Sequence, residues 1–432
     1  MHKARSRSAA TDVARGGQTE RNLRLSIATI NFYPIYSGAG VRFKRYIPGF
    51  VERGVDVVVC SGTPDRIRIH PLNGRDEWRR LRNGAFLPTE TVDGVSVQRV
   101  RLPEKPGVRR DAWFVWRVAD LCSESSSRPD ILQMFSIPPA TVPALWRIRR
   151  MGVPVVATQT IMPVFPAHPL KQALLRASFD VSSRLVSCVV ASSEVMAGGL
   201  RQQGIRTRIE VIPHGVDISR FRPPSGEDER VEARESLSIP HDHPVLLFVG
   251  SIAPRKGVDL LLQAWSTIAR KHPSLHLVMI GPRPDLHSSH GLQYLRQLDT
   301  LIHRSSTRNR IHLVGRVEDV PAYMRCADLF VFPSRREGMP NAVLEAMASG
   351  VPVVTTPFAG FPSEFGEPGR NFIRTTFDPA EIAADVSALL EAPQRRAELA
   401  ASARRWVEDY LDIRRSLDRY VELYSELASG GA

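Results

Sequence analysis

The sequence predicts an α/β protein of two tandem domains, each a parallel sheet flanked by helices, with a cleft between the two sheets. Three observations carry this. Apolar runs of strand length alternate with longer segments of helical character along nearly the whole chain. The alternation breaks once, near residues 213–228, where Pro223, Pro224, Ser225 and Gly226 adjoin a charge cluster, and then restarts. And 432 residues exceed one ordinary core, which suggests two units of roughly 200 residues each.

The elements follow in order. Residues 1–22 read as a disordered basic tail. Residues 23–30 form a first strand, 31–40 a loop, 41–53 a helix that Gly54 stops, and 55–59 a second strand, the opening of a βαβ unit. An arginine-rich stretch, 66–82 with Trp78, reads as an inserted loop. Strands at 95–100, 131–134, 153–157 and 185–191 follow, with helices at 142–150 and 193–203, the latter capped by Ser192 or Ser193; 211–212 closes the set. The second half has strands at 245–249, 276–280, 311–314, 329–332 and 351–355. Its helices are expected at 258–271, 292–302, 320–326, 341–349, 379–390 and 393–410, before an amphipathic one at 413–428. The domains are expected at 23–215, completed by 411–428, and at 216–410. Ligands of such sheets bind at the carboxyl ends of the strands, so the cleft is the expected site.

Composition narrows the function classes. Apolar residues make up 43% and charged residues 24%, a globular profile, and the net charge of +13 favours an anionic partner: nucleic acid, a phosphorylated small molecule or a negative membrane surface. No aromatic stacking platform or recognition helix accompanies the charge, which argues against nucleic acid. Four scattered cysteines, Cys60, Cys122, Cys188 and Cys326, form no CxxC pair and read as small buried hydrophobes in a reducing compartment. Residues 1–17 lack the apolar core of a secretory signal, and the least charged run, 152–170, is broken by Pro154, Pro163, Pro166 and Pro169. The expectation is a cytoplasmic protein with any membrane contact peripheral.

Three motifs carry chemistry. The first is Arg335-Arg336-Glu337-Gly338-Met339-Pro340-Asn341-Ala342-Val343-Leu344-Glu345. It places one carboxylate before a helix and one inside it, with the helix starting near Pro340. The helix tip offers free N–H groups and a positive dipole end to an anion. Glu337 reaches a polyol such as a sugar ring, and Glu345 a pair of vicinal hydroxyls such as a ribose. The second is Phe248-Val249-Gly250-Ser251-Ile252-Ala253-Pro254-Arg255-Lys256-Gly257-Val258-Asp259, where a strand ends and two cations precede a helix, a place for a diphosphate whose charge grows as its bond breaks. The third is Ser37-Gly38-Ala39-Gly40, where glycines admit a phosphate or sugar close to the backbone, although it is neither a full G-x-G-x-x-G nor a P-loop.

With His214-Gly215-Val216-Asp217 and Arg220-Phe221-Arg222-Pro223, these motifs resemble glycosyltransferase family 4 of the GT-B fold, two Rossmann-like domains facing across a cleft. The resemblance runs from about residue 23 to the last helix and is most specific over 214–362. It implies retaining, metal-independent transfer from a nucleotide-diphosphate sugar, with no cofactor required, to a saccharide or lipid-linked acceptor. Carried over, Glu337 contacts the donor sugar, Glu345 the ribose, and the backbone of Gly338, Met339, Pro340 and Asn341 the sugar and phosphate. Arg255 and Lys256 hold the diphosphate, Gly38 and Gly40 close over it, and backbone near Arg316 and Val317 reads the base. The family's last helix crosses back to the N-domain, which suits 413–428.

Departures accompany the resemblance. Ser251 stands beside Gly250 where the family carries Arg, so Arg255 is expected to substitute. Positions that often hold a His read Gln133-Met134-Phe135 and Thr158-Gln159-Thr160, and His168, the nearest imidazole, becomes an acceptor-side candidate. His214 replaces a common Asn in a structural role. No nucleophile for a double displacement stands out in the N-domain loops, so front-face attack is expected, and Arg255 and Lys256 supply the positive charge that a metal would. Arginines at 66, 68, 75, 79, 80 and 82, then 109, 110, 147, 149 and 150, read as a solvated face or as a dock for anionic lipid. A nucleotide-sugar epimerase or a phosphorylase of the same fold is the alternative.

Overall fold

A computed structural model describes residues 22–32, 38–63, 87–103, 107–125, 128–138, 140–163, 165, 168–235, 239–282, 289–358 and 361–430. The expected basic tail and the 66–82 stretch with its arginines lie outside these residues.

The first half builds an eight-stranded sheet in the order β3-β4-β2-β1-β5-β6-β7-β8. Its strands are β1 (Leu23–Thr29), β2 (Val55–Gly62), β3 (Thr89–Val92), β4 (Val95–Val100), β5 (Ile131–Phe135), β6 (Val155–Gln159), β7 (Cys188–Ala191) and β8 (Ile209–Val211). All pairings are parallel except β3 with β4, a hairpin closed by Asp93 and Gly94 at φ 51 and 79, the left-handed pair that suits a two-residue turn. The second half builds a parallel six-stranded sheet, β11-β10-β9-β12-β13-β14. Here the strands are β9 (Val245–Val249), β10 (His276–Ile280), β11 (Ile311–Gly315), β12 (Leu329–Phe332), β13 (Val353–Thr355) and β14 (Ile373–Arg374). β9 and β12 are continuous apolar runs, and β10 is one after His276, because helices cover both faces.

Three helices escape the periodicity argument: Val108–Ser123, Pro169–Ser183 and Glu227–Glu235. The first two carry exposed Trp113, Trp116, Leu170 and Leu174 on their solvent sides, which blurs the 3.6-residue stripe, and the third is almost wholly polar. The first helix, Gly38–Glu52, starts three residues before the expected position and absorbs Gly38 and Gly40 into its first turn rather than leaving them in a loop.

The last helix, Ile413–Ala428, belongs to the core of the first domain. Leu417, Tyr420, Leu423, Tyr424 and Leu427 cluster with Phe43, Tyr46 and Phe50 of the 38–52 helix and with β1 and β2. Burying each such side chain is worth about 1.5–3 kcal/mol. Gly49 permits the approach, since a Cβ there would stand 2.3 Å from Leu417 Cδ1. Tyr424 OH donates to Gln133 Oε1 at 2.8 Å, tying the helix to β5. The crossing is pinned where Val216 N donates to Leu411 O at 2.8 Å and Ile413 N to Val216 O at 3.0 Å. Among the described residues, no helix is long and apolar enough to cross a membrane.

Candidate active site

The site grows from two strand ends of the second sheet. β9 runs into Gly250 and Ser251 and then a single 3-10 turn, Pro254–Lys256; β12 runs into a loop that ends at the helix Asn341–Ala348. The two turns are clamped together. Arg335 grips Asp259 through both nitrogens, at 2.9 and 2.7 Å, and donates to Pro254 O at 2.6 Å. Its backbone N–H donates to Arg255 O at 2.8 Å, and Ser334 Oγ lies 3.0 Å from the same carbonyl. Gly257 makes the turn: its φ of 68 favours glycine, and a Cβ would stand 1.9 Å from Pro333 O.

Inside this clamp, one oxygen of Glu337 collects three donors. Arg255 Nη1 donates to Oε1 at 2.6 Å, Lys256 Nζ at 2.7 Å and Ser334 Oγ at 2.9 Å. Among the described residues the second oxygen, Oε2, has no hydrogen-bond partner, which leaves it for a ligand. Lys256 is only 8% exposed, lies 4.7 Å from the Phe332 ring centroid, and its stem packs on Gly250. Burial holds its pKa below the usual lysine value and Arg255 pushes the same way, while Glu337 opposes both. Arg255 is half-exposed. The cluster is thus a buried carboxylate shared by two cations, poised to exchange partners with an entering anion.

Gly338, Met339 and Pro340 lead from Glu337 to the helix tip, with Pro340 at the N-cap position in an extended conformation. The loop also meets the first domain. A Cβ on Gly338 would stand 2.0 Å from Thr160 O, and Arg336 Nη2 donates to Met162 O at 2.8 Å. Glu345, one turn into the helix, is buried and pairs with Arg45 of the 38–52 helix. His214 is buried between the domains, its Nδ1–H on Met339 O at 2.9 Å and its Nε2 toward Arg42. Burial and the neighbouring Arg42 hold its pKa well below the usual histidine value, so it stays neutral.

Arg255, Lys256, Glu337 and Gly250 therefore converge, with Ser251 next in the chain, and Gly338, Met339, Pro340, Asn341 and Glu345 occupy the adjoining helix tip. Gly38 and Gly40 lie in the first turn of the helix that supplies Arg42 and Arg45 to this interface. Arg316 and Val317 follow β11, the edge strand, three places from β12 in the sheet. His168 stands apart: it is exposed and is the N-cap of the 169–183 helix, its Nδ1 3.5 Å from Lys171 N. Sequence reasoning missed Ser334, Arg42 and Arg45, and gave no role to Asp259 at the end of the second motif. The two arginines were legible as neighbouring positions on one helix face, but nothing local marks their partners. Among the described residues, no group of three or more His, Cys, Asp or Glu is placed to hold a metal ion.

Two facing α/β domains, a last helix that returns to the first, and a cation–carboxylate cluster at the cleft define a GT-B protein. Solved structures agree on the fold. A sucrose-phosphate synthase from Thermosynechococcus elongatus superposes with a TM-score of 0.76 at 16% identity, covering 94% of this chain and 100% of that one. The Anabaena protein HepE, solved with UDP-glucose, gives 0.70 at 20% identity with the same coverage. The chain belongs to glycosyltransferase family 4: the family description Glycosyltransferase Family 4 matches residues 36–220, and Glycosyl transferases group 1 matches residues 229–406. A D-inositol 3-phosphate glycosyltransferase of Salinispora tropica is 32% identical over 252 residues, 55% of this chain and 51% of that protein. A GDP-mannose-dependent alpha-(1-6)-phosphatidylinositol monomannoside mannosyltransferase of Mycolicibacterium smegmatis is 29% identical over 231 residues, 51% of this chain and 57% of that protein. The chain spans about half the length of the curated relatives it matches.

Proposed function

We propose that this chain is a retaining, metal-independent glycosyltransferase that moves a sugar from a nucleotide-diphosphate donor to an acceptor hydroxyl. The observation that carries the reading is Glu337 Oε1 held by Arg255, Lys256 and Ser334 beside the tip of the 341–348 helix. The donor diphosphate takes over the two cations, and Arg255 fills the place left by Ser251. Glu337, released on one oxygen and open on the other, accepts hydroxyls of the donor sugar. Glu345 takes the ribose hydroxyls once Arg45 gives way. As the sugar–oxygen bond breaks, negative charge grows on the diphosphate, where fixed cations and the helix N–H groups stabilise it without reorganisation. The acceptor hydroxyl enters on the same face and passes its proton to a departing phosphate oxygen, which retains the anomeric configuration. The protein's share is positioning and charge stabilisation.

The acceptor is a saccharide or a lipid-linked hydroxyl compound, and the second of these suits the first domain's surface. Trp113, Trp116 and Trp146 are exposed on neighbouring helices, and Arg147 and Arg150 lie 5.4 and 4.6 Å from the Trp116 and Trp146 ring centroids. Aromatic rings with interleaved arginines suit peripheral contact with an anionic membrane. A thermal-shift screen against nucleoside diphosphates and nucleotide sugars tests the donor reading. One of them raises Tm by mass action, and the Glu345→Ala variant loses most of that rise. A flat response to the whole panel rejects it.

A further inference from the structure

Opposite the donor cluster, at the carboxyl ends of β1, β5 and β6, the first domain holds a cavity of about 380 Å³. Its walls are mainly apolar, with Ile30, Phe114, Val115, Ile137, Phe165 and Phe179 among them. Among the described residues no lysine, arginine or histidine lines it; exposed Arg176 lies 5.4 Å from the Phe165 ring centroid but is not part of the lining. Among the described residues the one charged lining group is the carboxylate of Asp111. A phosphate would enter with no cation to meet it and a carboxylate to repel it.

One polar group in the lining asks for a ligand. Gln159 is only 6% exposed, and its Nε2 donates to Ile161 O at 2.7 Å, which orients the amide. Its Oε1 is buried and, among the described residues, has no hydrogen-bond partner. Buried polar atoms are rarely left so, and an unpaired acceptor at a cavity wall is a place for an incoming donor. Ser136, also in the wall, sits at φ 60, a conformation that costs a non-glycine residue energy and concentrates at ligand sites. Gln159 is one residue from Thr160, whose carbonyl is the close neighbour of Gly338 in the donor loop. The cavity therefore opens beside the place where the donor sugar is expected.

We propose that this cavity receives a hydroxyl-bearing group with an apolar body, whose O–H donates to Gln159 Oε1, and that this group is part of the acceptor. At the roughly 30 Å³ that a liquid water occupies, it has room for about a dozen non-hydrogen atoms. The acceptor class is then an amphiphile or aryl alcohol rather than a phosphorylated polyol. The inference rests on the functional reading above for the word acceptor; the ligand class rests on the cavity alone.

Equilibrium binding of 2-naphthol, naphthalene and D-inositol 3-phosphate to the full chain tests it, with nucleoside diphosphates measured in parallel by thermal shift. We expect saturable binding of 2-naphthol, about tenfold tighter than naphthalene because only the former satisfies Gln159. In Gln159→Met that ratio falls to about one, and because it is a ratio, a general loss of packing does not mimic it. In Leu175→Trp, which fills the cavity from a half-buried position, both aromatic probes are lost while the nucleotide response stays. The proposal is overturned if D-inositol 3-phosphate binds and 2-naphthol does not, or if Gln159→Met leaves the ratio unchanged. Tight 2-naphthol binding in a chain that no nucleoside diphosphate stabilises would overturn the functional reading instead and leave the ligand class standing.

Discussion

Replacing Lys256 by Met isolates the contribution of the buried cation. The stem of Lys256 packs on Gly250 and its Nζ lies over the Phe332 ring; Met keeps the stem contact and loses the charge over the ring. Glu337 Oε1 retains Arg255 and Ser334, and relief of the lysine's burial offsets the lost ion pair, so Tm should change little. Binding should change greatly. At an effective dielectric of 20, a unit charge about 4 Å from a phosphate charge attracts it by about 4 kcal/mol. Lys256 is already 8% exposed without ligand, so most of its desolvation is complete before the anion arrives. Discounting for the Glu337 contact that must be exchanged leaves about 3 kcal/mol, or about two orders of magnitude in Kd. Isothermal titration with the nucleoside diphosphate that raises Tm most measures it. A variant that binds within about threefold of wild type refutes the reasoning. pH supplies a second arm. The anion needs protonated Lys256, so affinity should fall as pH rises through the lysine's lowered pKa, before the ordinary range near about 10.4. Stability moves the other way. The unfolded chain holds this proton more tightly than the folded one, so this group's contribution to stability rises with pH between the folded and unfolded values.

Glu337→Gln keeps the shape and removes the charge that competes for both cations. Nucleoside diphosphate affinity should hold or improve while sugar transfer falls by about 100-fold or more, read by calorimetry beside a product assay; equal losses in both would place Glu337 outside the reaction. Arg45→Ala deprives buried Glu345 of its partner and should lower ligand-free stability by about 3 kcal/mol, yet tighten nucleotide binding because the ribose no longer competes with a guanidinium. Weaker nucleotide binding in that variant would argue that Arg45 itself holds the ligand. Gly338→Ala places a methyl 2.0 Å from a backbone carbonyl of the other domain, which cannot turn aside as a side chain can. The domains should part, raising the radius of gyration in small-angle scattering and abolishing transfer; unchanged scattering and turnover would contradict the contact.

Much of this was readable from residues alone, for a physical reason. The Arg255, Lys256 and Glu337 cluster sits in short turns directly after apolar strands, where sequence order nearly dictates spatial order. The long continuous runs of β9 and β12 place those turns side by side. What lay hidden depends on distant partners. Arg45 and Glu345 are 300 residues apart, and neither carries a local mark of the other. Gly38 and Gly40 look like a loop because glycine weakens a helix, yet packing against the last helix extends the 38–52 helix through them. The 108–123 and 169–183 helices hid because apolar residues face outward on them as well as inward. The empty acceptor on Gln159 could not be foreseen, since an unsatisfied atom is a property of its surroundings.

The return of residues 413–428 to the first sheet has a consequence for biosynthesis. One face of that sheet stays only partly covered while some 200 further residues emerge from the ribosome, because the helix that completes its cover is translated after the whole second domain. The domain made first is completed after the second. A nascent chain halted just short of residue 413 therefore holds a complete second half and a sticky, half-clothed first half, the state at which chaperone demand during synthesis should peak.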